Sequence, residues 1–97
     1  MRIFKDSSLI EEIQDLDLGI VSAGESKQFI FYVYNDSLAS LINLEFSTAS
    51  SEIKIIEAPK ELKYKESEKL VLEYNPEVTL KQGLHAELFV KAQELYK

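Results

Sequence analysis

The chain has 97 residues, a formal net charge of −6, 45% hydrophobic and 29% charged residues, and no cysteine. That length supports one domain with one core, and the composition is that of a folded globular protein. Without cysteine there are no disulfides, thiolate metal sites or thiol nucleophiles; the acidic balance opposes phosphate backbones and anionic lipid surfaces alike, so neither nucleic acid nor membrane is an expected partner.

Residues 1–14 carry two competing patterns. Leu9, Ile10, Ile13 and Leu16 recur at helical spacing, and Ser8-Leu9-Ile10-Glu11 fits a capping box. Ile3 and Phe4 instead fit an edge strand or an arm, and so short a helix is marginal without packing. The segment is expected as an N-terminal arm or short helix, removable without unfolding a domain that spans residues 15–97. Its start lacks the apolar run of a signal peptide, and no later stretch approaches the roughly 20 apolar residues of a bilayer span. A cytoplasmic setting is therefore expected.

From Asp15 the pattern becomes alternation, with Leu16, Leu18 and Ile20 on one face and Asp15 and Asp17 on the other. It ends at Ser22-Ala23-Gly24-Glu25, where Gly24 can supply a positive φ. Residues 26–35 hold the densest aromatic and β-branched run and are expected as the central strand of a sheet. Phe29, Phe31 and Val33 fall on one face and Ile30, Tyr32 and Tyr34 on the other, the tyrosines on the more open side. Asn35-Asp36-Ser37 is turn chemistry.

Residues 38–51 alternate again, with Ile42, Leu44, Phe46 and Thr48 expected inward. Ile53, Ile55 and Ile56 mark a short strand that stops before Pro59. The charged residues 60–69, with Leu62 and Tyr64 embedded, read as a strand edge or a loop against the sheet. Leu70, Leu72 and Tyr74 alternate up to Asn75-Pro76, which ends the strand. In the last segment Leu84, Leu88, Ala92 and Leu95 fit a helical stripe, whereas Ala86, Leu88, Val90 and Ala92 fit a strand. The strand is expected, because the central run needs neighbours on both sides. About seven short strands at regular spacing give an all-β class, an immunoglobulin-like antiparallel β-sandwich with a short N-terminal arm.

Leu16-Asp17-Leu18-Gly19-Ile20-Val21, Gly24-Glu25-Ser26 and Tyr34-Asn35-Asp36-Ser37 together resemble the opening of the ASH and major-sperm-protein-like immunoglobulin families. Ala58-Pro59, Leu62 and Leu70-Val71-Leu72-Glu73-Tyr74-Asn75-Pro76 are similar to the closing half of those domains. Lys65-Glu66-Ser67 departs from them, lacking the glycine that such domains often carry there. The resemblance covers residues 15–92 and implies a sandwich used for protein contacts, with no catalysis and no cofactor. A small module with a leader is also similar to the immunoglobulin-like accessory proteins of tailed-phage particles. That implies a virion location, with a larger assembly such as a capsid or tail as protein partner and homo-oligomerisation left open. The alternative is a cellular adaptor that captures a peptide by edge-strand addition.

Individual residues add little chemistry. His85 is the sole histidine, and a solvent-facing strand position is preferred to an acid/base role. No serine sits in a nucleophile context. Asp15, Asp17, Glu11 and Glu12 have the oxygens for a hard cation, but their spacing fits no calcium loop, so a solvated acidic face suited to a basic partner is favoured. Asn35-Asp36-Ser37 also matches a glycosylation acceptor, with the turn preferred. Tyr32, Tyr34, Tyr64, Tyr74 and Tyr96 can form an aromatic contact patch or simply pack on the sheet. The protein-binding candidates are Ile3, Phe4, Leu9, Glu11, Glu12, Tyr32 and Tyr34; catalytic and metal residues are not assigned.

Overall fold

The computed structural model describes residues 1–80 and 83–95. Among them are nine strands and no helix: β1 (Arg2–Phe4), β2 (Glu12–Ile13), β3 (Leu16–Gly19), β4 (Lys27–Tyr34), β5 (Ser40–Thr48), β6 (Ile53–Glu57), β7 (Ser67–Tyr74), β8 (Leu84–Ala86) and β9 (Leu88–Leu95). All pairings are antiparallel. Five strands form one sheet in the order β2-β1-β4-β7-β6, while β3 pairs with β8 and β5 with β9.

The aromatic run is the middle strand of the large sheet. Phe31 and Val33 are buried and Phe29 partly so, while Ile30 is exposed and Tyr32 and Tyr34 are half-buried on the opposite face. Strand β7 pairs along the whole of β4, setting Leu72 opposite Phe29 and Leu70 opposite Phe31. Leu70, Leu72 and Tyr74 point to the same core as Phe31 and Val33. Onto that face pack Leu16, Leu18 and Ala86 from the β3–β8 ribbon and Leu41 and Leu44 from β5. One apolar cluster thus joins all three sheets, the arrangement that two packed layers need.

Alternation slips where the backbone turns left-handed. Gly19 has φ 63 and ends β3. Ile20, expected inward, is consequently 61% exposed, and Val21 is buried in its place. Asn43 has φ 52 inside a bulge between Ile42 and Glu45. That extra residue shifts the phase, so Leu41 rather than Ile42 joins Leu44 in the core. The turn at Lys65-Glu66-Ser67 forms without a glycine, with Lys65 itself at φ 60.

The N-terminal segment is a hairpin built into the large sheet rather than an arm or helix. Ile3 pairs with Ile13 on one side and Val33 on the other, and both isoleucines pack on the core. Asp6 caps the connecting loop through the backbone N–H groups of Ile10 and Glu11, with Leu9 at φ 58 between them. Those positions deny the segment its helical periodicity.

Asn35 closes the other end of β4. It is fully buried, and its Nδ2 donates to the carbonyls of Ala39, Leu62 and Lys63 at 2.8, 3.0 and 3.2 Å. Its Oδ1 accepts from the Ser37 N–H and hydroxyl. Turn chemistry is therefore what this triplet does, and the amide nitrogen is enclosed where glycosylation needs it free. Leu62, bridged to Leu41 and fully buried, ties the charged segment 60–66 to β5.

A candidate protein-binding edge

Strand β9 has β5 on one side and, among the described residues, no strand on the other. The cause lies in the path of the N-terminal chain. It leaves the large sheet at Ile13, pairs next with β8 from Leu16 onward, and so leaves β9 itself uncovered. Within β9, Leu88, Val90 and Ala92 share one face. With Met1, Ile3 of β1 and Leu41 of β5 they line an open groove of about 380 Å³. Leu41 is buried at its base, whereas Val90 is 36% exposed. Phe89, which alternates with these residues, is exposed on the outer face.

An unpaired strand edge beside an apolar groove can accept one more strand. Its free N–H and C=O groups template main-chain bonds, and the groove receives every second side chain of the incoming segment.

The candidates named from the sequence do not come together as one surface. Ile3 lines the groove. Phe4 pairs with Tyr32 on the other face of the sheet, is 4% exposed, lies edge-on to Tyr34 with centroids 6.5 Å apart, and is covered by the Arg2 guanidinium. Phe4, Tyr32 and Tyr34 are thus packed against one another. Leu9 and Glu11 sit in the hairpin loop, and Glu12 is bound by Arg2 at 2.6 Å. This ion pair raises the Arg2 pKa and lowers that of Glu12, chiefly through its hydrogen bond. The N-terminal ammonium similarly reaches Asp36 at 3.2 Å and lowers its pKa.

The remaining tyrosines are scattered. Tyr64 is exposed, whereas Tyr74 is buried in the core, where desolvation and then the charge of Glu52 push its hydroxyl pKa up. Tyr96 lies outside the described residues. His85 is exposed, with Nδ1 3.4 Å from Asp15 and Nε2 4.0 Å from Asp17. Among the described residues no group of three or more His, Asp or Glu side chains is arranged to hold a metal ion.

Sequence reasoning missed Leu88, Val90 and Ala92 as site residues. Their alternation was legible, but it reads as core because nothing local reports that the covering strand turns away. The fold and this edge define an antiparallel all-β domain with an open strand. No protein-family model matches the chain, and neither does any curated protein or solved structure.

Proposed function

We propose that the chain is a non-catalytic, immunoglobulin-like protein-binding module that accepts an extended partner segment as an added strand along β9. The observation that carries this reading is that the unpaired edge and the apolar groove belong to the same strand, β9, with Leu88, Val90 and Ala92 spaced to meet alternate side chains. Backbone pairing supplies affinity and the groove supplies selectivity. The acids of residues 11–17 favour a partner with basic flanks. The resemblance to phage accessory proteins extends the proposal to a repetitive assembly, a capsid or tail, as the setting. Retention of the protein on purified particles through a density gradient supports that setting, and complete loss opposes it.

A labelled synthetic peptide alternating valine and threonine between terminal lysines tests the site by fluorescence anisotropy. The wild-type chain should bind it, Ala92→Asp should abolish binding by placing a charge in the groove, and Ile56→Asp, on β6 at an edge of the five-stranded sheet, should leave it unchanged. Binding that is indifferent to Ala92→Asp would overturn the reading.

A further inference from the structure

Resting on this strand-addition reading, we propose that a second copy of this chain occupies the edge, its β9 pairing antiparallel with the first about a two-fold axis through Val90. The strand carries the chemistry its own groove asks of a guest. Leu88, Val90 and Ala92 are apolar at every second position and already face the groove, while Phe89 and Lys91 face outward. A two-fold axis perpendicular to the sheet keeps inner side chains inner, so the same patch serves both partners, as an isologous contact requires.

The register follows from the side chains. With the axis at Val90, Val90 faces its own copy and Leu88 faces Ala92, giving a continuous apolar row. On the outer face Lys91 lies opposite Phe89, a cation beside an aromatic ring, and Glu87 lies opposite Gln93. Lys91 is diagonal both to the partner's Glu87, an opposite charge, and to the partner's Lys91, a like one, so these two diagonal charge terms offset each other. Moving the axis to Lys91 sets two lysines face to face, and moving it to Ala92 sets Val90 against Glu94. The Val90 register avoids both penalties; an axis at Phe89 avoids them too, but it sets Ala92 against Ala86, which lies outside β9 and is already paired with Leu16.

A sheet edge with one groove belongs at the small end of specific interfaces, which span about 1,200–2,000 Å², so the dimer should dissociate on dilution. Each copy carries a charge of −6, so added salt should strengthen association by screening the repulsion.

The absence of native cysteine makes the test clean. Directly opposed residues of an antiparallel pair have Cα atoms about 4.5–5.5 Å apart, within disulfide range. Under mild oxidation Val90→Cys should therefore cross-link to a covalent dimer. Lys91→Cys should not, because in this register the two copies of residue 91 are offset by about 6.6 Å along the strand. For the unmodified chain, sedimentation should show the average mass rising towards twice the monomer value with concentration, and further with salt. A mass fixed at the monomer value, or cross-linking through residue 91 and not 90, would overturn the pairing. A monomer that still binds the valine–threonine peptide loses self-pairing and keeps strand addition; a monomer that binds nothing loses both.

Discussion

The Asn35 side chain donates to the carbonyl of Leu62 at 3.0 Å and so fastens the end of the central strand to the segment that flanks β5. The same nitrogen also serves Ala39 and Lys63, and Oδ1 holds Ser37. Asn35→Ala removes these bonds and leaves the Ser37 N–H without its acceptor. The expected loss is about 2–3 kcal/mol, as lost bonds and an unpaired donor together imply. Asn35→Asp should cost more, because a carboxylate oxygen then faces three carbonyls. Urea unfolding measures both.

Gly83 and Gly19 approach each other where β3 meets β8. A Cβ on Gly83 would lie 3.1 Å from the Gly19 carbonyl carbon, at a backbone φ of +78, whereas a Cβ on Gly19 meets nothing within 4 Å. Gly19→Ala should therefore cost only the left-handed strain of about 1–2 kcal/mol. Gly83→Ala should cost more and should specifically loosen the pairing of Leu16 with Ala86. Thermal unfolding ranks the two variants, and amide exchange at residues 16–19 locates the damage.

Two sets of groups set the pH dependence. The carboxylates of Glu12 and Asp36 have folded pKa values below the ordinary range. The folded state then binds fewer protons than the unfolded one, so their contribution is present above about pH 4 and is lost as pH falls through the lowered values. Tyr74 behaves oppositely, since its folded pKa is raised. Its contribution is present below about pH 10 and is lost as pH rises through the folded value. Tyr74→Phe should flatten the alkaline fall in melting temperature, and Asp36→Asn should flatten part of the acid fall.

Removing residues 1–14 should destabilise the domain rather than trim an appendage. The deletion strips β4 of one of its two neighbours, uncovering the edge at Val33, and discards Phe4, which is 4% exposed. Burial of that one ring accounts for about 1.5–3 kcal/mol. The truncated chain should show a lower urea midpoint, and an unchanged midpoint would contradict the hairpin's place in the sheet.

Much of this architecture is written locally. The run from Phe29 to Tyr34 declares a central strand because aromatic alternation has both faces to fill, and Asn75-Pro76 ends β7 as its chemistry demands. Ile20 and Ile42 misled because Gly19 and Asn43 adopt positive φ, and a single left-handed residue reverses the phase of everything beyond it. The N-terminal hairpin was obscured by helical spacing that Asp6 interrupts through its hydrogen bonds. The open edge is the least legible feature. Val90 and Ala92 read as core from their neighbours alone, and their exposure depends on where residues 13–16 carry the chain.

The account rests on β9 as the strand that receives a partner. Amide-resolved NMR of the dilute chain during titration with the valine–threonine peptide tests this most directly. Shifts and new exchange protection are expected at residues 88–93 and at Ile3, with β6, an edge strand of the five-stranded sheet, unchanged. Changes centred on β6, or none up to millimolar peptide, would contradict it.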